Sequence, residues 1–139
     1  MITDPGTDLA AFIEAVLAQV CFGDEATYPL EATIDRYFTP DYQQRTDGEV
    51  VGRDGFAAHI RALRALAAGG SVTVLEALRD GNRVADRHQV TVTKRDGSTS
   101  QLEVYLFGEL ASDGRLRRVD EVSRIVDGDQ ADSGLARVR

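Results

Sequence analysis

The fold is decided by residues 83–110, which read RVADRHQVTVTKRDGSTSQLEVYLFGEL. Apolar and polar side chains alternate along both halves of this stretch, which is the pattern of β-strands with two different faces. Between the halves lies Asp96-Gly97, a dipeptide that favours the tight turn of a hairpin. The stretch therefore predicts two long antiparallel strands, Arg83–Lys94 and Ser100–Leu110.

The strand pattern continues on both sides of this hairpin. A β-branched, alternating run covers Ser71–Asp80 and is followed by the turn Gly81-Asn82. On the other side, the turn Asp113-Gly114 precedes a fourth run, Arg115–Val126. The four long strands are predicted to form an antiparallel meander, and their length requires a strongly curved sheet.

Helical patterns occupy the chain before these strands. The first helix has an apolar stripe at helical spacing, formed by Leu9, Phe12, Ile13, Val16, Leu17 and Val20. A second, short helix follows Pro29 and stops at Thr39-Pro40, because proline disfavours helix at the residue before it. A short strand is predicted at Tyr42–Thr46, and a third helix runs from Arg53-Asp54 to Gly69-Gly70.

Helices followed by strands predict an α+β fold, with three helices on one face of an antiparallel sheet of four long strands plus a short one. A curved sheet covered by helices leaves a hollow between the layers, which is the default position of a ligand site. The 139 residues suit a single domain over residues 1–139, with a core at 8–126 and a polar tail at 127–139 that is expected to fray.

Charge and targeting patterns limit the classes of partner and compartment. The net charge is −7, and the first 35 residues hold seven acids and no lysine or arginine. An acidic chain of this kind predicts no nucleic-acid partner and no anionic membrane partner. No signal-peptide pattern is visible, and Cys21 is the only cysteine, so a cytoplasmic location is expected.

The strand Ser100–Leu110 has an unusual second face. One face is aliphatic, while the other mixes Tyr105 and Phe107 with Glu103 and Glu109. A face open to water normally shows a cleaner alternation. We therefore expect this face to be partly covered by a second copy of the chain, giving a homodimer through the sheet.

Three short motifs, in this order, carry a resemblance to a known family: Tyr37-Phe38-Thr39-Pro40-Asp41-Tyr42, Gly52-Arg53-Asp54-Gly55-Phe56 and Gly81-Asn82-Arg83-Val84-Ala85. Over residues 8 to 126 the chain resembles the SnoaL-like branch of the NTF2-like superfamily. The resemblance implies an α+β cone with a deep pocket, commonly dimeric through the sheet. The superfamily includes polyketide cyclases, ketosteroid isomerase, limonene-type epoxide hydrolase, scytalone dehydratase and many proteins without enzyme activity, so the fold does not give the function.

Two titratable residues are candidates for proton transfer. His59 lies on the apolar stripe of the third helix, where it is either an acid–base residue or a core histidine bonded to the backbone. Glu121 lies on the last strand. The resemblance to limonene-type epoxide hydrolases implies an acid at about this position. Burial there raises the pKa of a carboxyl, unless Glu121 is instead solvated beside an arginine.

The resemblance also places Arg87 and Gln89 in the pocket. Epoxide hydrolases of this kind have Arg-x-Asp where this chain has Arg87-His88-Gln89, so the second acid is missing. A glutamine cannot transfer a proton, but it can orient a water molecule or a carbonyl. Strand alternation then predicts that His88 and Asp120 face away from the pocket.

The remaining pocket lining is predicted from the short strand and the sheet. Polar lining is expected from Tyr42, Gln44 and Thr46, and apolar lining from Leu102, Val104 and Val119. Asp47 lies about one residue away from the position of the ketosteroid isomerase base, and the second acid of that reaction is absent. No glycine-rich phosphate loop and no His-x-x-x-His motif is present. Asp86, His88 and Glu121 could ligate a metal, but strand alternation predicts His88 and Glu121 on opposite faces, so neither a cofactor nor a metal is expected.

These observations favour cofactor-independent acid–base chemistry on a small, mostly apolar molecule: isomerisation, cyclisation, or addition or loss of water. Glu121 would carry the proton with His59 as its partner, and Arg87 would stabilise negative charge. Gln89 and Tyr42 would orient the substrate. The alternative is a ligand-binding or structural dimer without catalysis, which the missing second acid favours.

Overall fold

A computed structural model describes residues 5–139. The helices are α1 (Pro5–Phe22), α2 (Leu30–Tyr37), α3 (Arg53–Leu66) and a C-terminal 3₁₀ helix (Gln130–Arg137). The strands are β1 (Phe38–Thr46), β2 (Glu49–Val51), β3 (Ala67–Asp80), β4 (Arg83–Lys94), β5 (Thr99–Leu110) and β6 (Leu116–Asp127). Within this part of the chain, no helix is both long and apolar enough to span a membrane.

The strands form one six-stranded sheet in the order β2-β1-β6-β5-β4-β3. The four long strands β3 to β6 are an antiparallel meander, and β1 joins it by pairing with β6 in parallel. The predicted α+β cone, with helices on one face of a curved sheet, is confirmed. The predicted apolar stripe of α1 faces the sheet, and its residues Leu9, Ile13, Val16 and Val20 are buried.

The largest differences from the predicted boundaries are at the short strand and at the third helix. The short strand starts at Phe38 rather than Tyr42 and turns back into the additional strand β2. The third helix ends at Leu66 rather than at Gly69-Gly70, and β3 begins at Ala67, because 67–70 pair with β4. Gly70 contributes to this pairing, since a Cβ there would lie 2.4 Å from the ring of Phe22.

The C-terminal segment, residues 128–139, is folded rather than frayed. It starts at Gly128, whose φ of +117° few other residues adopt, and it forms the 3₁₀ helix. Leu135 packs into a small apolar cluster and is only 6% exposed. The Lys94 ammonium lies 2.9 Å from the Asp132 carboxylate, so the segment is held by both apolar burial and ion pairs. The prediction of a loose polar tail is therefore wrong.

Candidate active site

An apolar cavity lies between the helices and the inner face of the sheet. The cavity has a volume of about 90 Å³. Helices α1 and α3, five of the six strands and the C-terminal segment build its wall. Most of the wall is aliphatic or aromatic, and its polar or ionisable members are Cys21, Tyr42, Gln44, His59, His88 and Glu121. Among the described residues no arginine or lysine lines it.

Glu121 enters this cavity from β6, as strand alternation with Val119 predicts. Its Oε1 accepts a hydrogen bond of 3.0 Å from the Thr46 hydroxyl. Burial in the apolar wall raises the pKa of Glu121 to about 7, while His88 and the Thr46 bond act in the opposite direction. The carboxyl is therefore able to both give and accept a proton near neutral pH.

A second ionisable group, His88, faces the cavity from β4. It is 2% exposed, and its Nδ1 lies 2.6 Å from Oδ1 of the buried Asp86. A carboxylate can only accept, so this contact places a proton on Nδ1 and leaves Nε2 outside this bond. Asp86 and Glu121 are both in register with Leu106 of β5, one on each side, so both carboxyls point to the same face of the sheet. Within the described chain, Asp86 Oδ2 has no hydrogen-bond partner.

The structure corrects the predicted orientation of β4. Arg87 and Gln89 lie on the outer face of the sheet, where the Arg87 guanidinium is 3.3 Å from Glu76 and 3.8 Å from Glu103. His88, predicted to face away, lies inside. The physical reason is that the apolar side chains of β4 must face the core. These are Val84, Val90 and Val92, and strand alternation puts Asp86 and His88 on the same face as these valines.

His59 lines the cavity as predicted, but it does not pair with Glu121. Its Nδ1 lies 2.6 Å from the carbonyl oxygen of Val138 in the C-terminal segment. Burial lowers its pKa, because an apolar environment disfavours the charged ring. These contacts match the alternative in which His59 is a core histidine bonded to the backbone.

The predicted polar lining residues are hydrogen-bonded to one another, and two of the three reach the cavity. Tyr42, Gln44 and Thr46 are buried in one row on β1 and are linked by hydrogen bonds, and Thr46 bonds to Glu121. Tyr42 and Gln44 still touch the cavity. The predicted apolar lining residues Leu102, Val104 and Val119 all line it.

Sequence reasoning missed three contributors to the site. Asp86 and His88 share the parity of the β4 valines, and that parity was the signal for their burial. Leu135, which closes part of the wall, is a leucine in an otherwise polar tail, and nothing in the pattern around it indicates a helix.

Within the described part of the chain, the site has neither an activated thiol nor a group of side chains suited to a metal ion. Burial raises the pKa of the Cys21 thiol to about 12, so it is not a thiolate nucleophile. Among residues 5–139, no three or more His, Cys, Asp or Glu side chains are grouped so that they could hold a metal ion.

A helix-covered, curved sheet around an apolar cavity defines the class of small α+β cone proteins. The SnoaL-like domain family matches residues 22–119, so the chain belongs to that family. An uncharacterised protein of Schizosaccharomyces pombe is 31% identical over 103 residues, covering 74% of this chain and 78% of that protein.

Solved structures share the fold at low sequence identity. IdmH of Streptomyces antibioticus, a proposed polyketide cyclase, is 17% identical with a TM-score of 0.66, over 94% of this chain and 96% of its own. A Catenulispora acidiphila protein with a ketosteroid isomerase-like fold, in complex with trimethylamine, is 15% identical with a TM-score of 0.65, over 95% of both chains.

Proposed function

We propose that this protein is a cofactor-independent acid–base enzyme acting on a small, uncharged, mostly apolar molecule. The observation that carries the proposal is the pair of proton-transfer groups in one apolar cavity: Glu121, with a pKa raised to about 7, and His88, held by Asp86. Titratable groups whose environments suit them to opposite roles are typical of acid–base sites.

The hydrogen bonds of the two groups suit His88 to the role of base and Glu121 to the role of acid. His88 offers the Nε2 lone pair as the base that removes a proton, and Asp86 stabilises the resulting imidazolium through Nδ1. Glu121 in its acid form delivers a proton to an oxygen that gains negative charge or leaves as water. This arrangement supports isomerisation, cyclisation, or addition or loss of water, with His88 in place of the predicted His59 and without Arg87.

The charge of the wall favours an uncharged substrate. An anion would meet Glu121 and the nearby Asp86 without a guanidinium or ammonium group in the described wall to balance it. Burying an unpaired charge in an apolar site is costly. The aliphatic wall instead suits a hydrocarbon skeleton with one or two oxygens at the Glu121 end.

The test is turnover on a panel of enones, epoxides and polyketide-like aldehydes by the parent and by Glu121→Gln and His88→Asn. We expect each variant to lose about 10²–10⁴-fold in rate with the fold intact, since general acid–base catalysis is typically worth that much. Asp120→Asn and Arg87→Gln are matched controls, because they change neighbouring residues outside the cavity wall. Equal rates for parent and Glu121→Gln would remove Glu121 from the mechanism.

A ligand-binding protein without catalysis is the second candidate. The observation that favours it is that Arg87 and Gln89 lie on the outer face of the sheet and not in the cavity, so fewer polar groups can act on a substrate. Binding of neutral panel compounds and of trimethylamine, measured by calorimetry without any turnover by the parent, would support this candidate over the enzyme.

A further inference from the structure

The buried side chains of β1 form a hydrogen-bonded row that ends on Glu121. The Tyr42 hydroxyl donates to Gln44 Oε1 at 2.6 Å, and Gln44 Nε2 donates to Thr46 Oγ1 at 2.9 Å. The Thr46 hydroxyl then donates to Glu121 Oε1 at 3.0 Å. The three residues alternate along the strand, so one face of β1 presents the whole row.

The chemistry of the groups fixes the direction of this row. An amide nitrogen can only donate, so Thr46 Oγ1 accepts from Gln44 and keeps its single hydrogen for Glu121 Oε1. Of the two Glu121 oxygens, Oε1 is therefore occupied by Thr46. The other oxygen, Oε2, takes no part in the row.

The main chain of Glu121 is held by Asp47, the residue that follows Thr46. Its backbone N–H donates to the Glu121 carbonyl oxygen at 3.0 Å. Its carboxylate accepts from the Ser123 N–H at 2.7 Å and from the Ser123 hydroxyl at 2.6 Å. Asp47 does this from a left-handed conformation with φ of +51°. Two consecutive residues at the end of β1, Thr46 and Asp47, thus bind the side chain and the backbone of the same glutamate.

We propose that Thr46 is a positioning residue, which binds one oxygen of Glu121 and presents the other to the substrate. Gln44 and Tyr42 hold Thr46 in the donating orientation and are positioning residues in the same sense. The role of Thr46 in catalysis rests on the proposed function, whereas its hydrogen bond to the Glu121 carboxylate does not.

The hold on Glu121 has a measurable effect on its titration. A hydrogen bond to a carboxylate favours the ionised form, so the Thr46 bond opposes the effect of burial. The other titratable groups that face Glu121 are His88 and Asp86 from β4, Asp47 after β1, Tyr42 from β1 and Cys21 from α1. None of them changes in a Thr46 variant, so a change in titration reports on the hydroxyl.

The test is a carbon-13 NMR titration of glutamate side-chain carboxyls, with Glu121 assigned by its absence in Glu121→Gln. In Thr46→Val, which keeps the shape but lacks the hydroxyl, we expect the pKa of Glu121 to rise by about one pH unit or more. Thr46→Ser restores the donor and is expected to return the value to that of the parent. Thr91→Val, on the outer face of β4, is the matched control.

An unchanged Glu121 titration in folded Thr46→Val would overturn the proposal. Where Thr46→Val does not fold, Gln44→Met serves instead, since it removes the donor that orients Thr46, and the expected change has the same direction. Because Glu121 must be protonated to act as the acid, the alkaline limb of the kcat profile of Thr46→Val should move with the NMR value. If the NMR value moves while Glu121→Gln keeps full turnover, the hold on Glu121 stands and the proposed enzyme function fails.

Discussion

At the residue scale, Glu121 couples the candidate site to the stability of the fold. Its pKa is about 7 in the folded protein, above the usual 4.5, so the folded state keeps a proton that the unfolded chain releases. As pH rises through this interval, unfolding releases a proton and becomes easier. The full effect, reached above pH 7, is on the order of 3 kcal/mol.

We therefore expect Glu121→Gln to be more stable than the parent at pH 8 and to lose this advantage at pH 4, where both states of the parent are protonated. The measurement is urea denaturation of both proteins at several pH values. An advantage of Glu121→Gln that is the same at every pH would show that Glu121 is not the titrating group. Asp120→Asn is the control for loss of one negative charge from β6.

Single positions in the site differ in how far the sequence predicts them. Glu121 follows from its alternation with Val119 and from the resemblance to limonene-type epoxide hydrolases, which have an acid on the last strand. His88 has the same kind of signal, but a polar residue between valines is normally read as solvated. Its burial depends on Asp86, two residues away on the same face, which satisfies the ring nitrogen. Such mutual satisfaction depends on what covers the strand, and the strand's own sequence does not contain that information.

At the scale of elements, the C-terminal segment is a wall of the cavity rather than a tail. Leu135→Ala removes most of a buried side chain that touches the cavity, and we expect a loss of about 2 kcal/mol of unfolding free energy. We also expect faster amide hydrogen exchange over 130–137, because the remaining contacts of the segment are mainly polar. Exposed Ser133→Ala is the control. Unchanged exchange in Leu135→Ala would mean that polar contacts alone hold the segment.

The long elements are predictable and the short ones are not. The meander follows from alternation over ten or more residues, and α1 follows from a stripe of six apolar positions. In contrast, β2 has three residues, and the C-terminal 3₁₀ helix depends on one leucine that packs into an apolar cluster from β3, β4 and β5. Elements of this size are stabilised by tertiary contacts, so local pattern carries little information about them.

At the scale of the whole molecule, the outer face of the sheet is the proposed dimer surface. Register places Leu78, Ala85 and Phe107 in one row across the strands, with Tyr105 and Val122 in the next. Phe107 is 67% exposed, and Leu78, Tyr105 and Val122 are exposed as well. A contiguous apolar patch of this kind is a feature of protein interfaces.

We expect light scattering to give about 30 kDa for the parent at micromolar concentration, and about 15 kDa for Phe107→Lys. The reason is that a lysine at the centre of a two-fold interface lies next to the same lysine of the other protomer. Burying these two positive charges together disfavours the dimer. Val50→Lys is the control, since Val50 is equally exposed but lies on β2, at the sheet edge away from the patch. A parent protein of about 15 kDa contradicts the dimer, and a dimeric Phe107→Lys contradicts its placement.

The pairing of β1 with β6 has a consequence for how the protein is made. Synthesis proceeds from the N-terminus, so α1 to β5 leave the ribosome before β6 arrives to pair with β1, and residues 128–139 come later still. Until then the aliphatic interior of the cone is open on the side that Leu135 and Ala136 finally cover. A chain that ends at Asp127 would therefore present a complete sheet with an uncovered apolar hollow, a surface of the kind that chaperones bind.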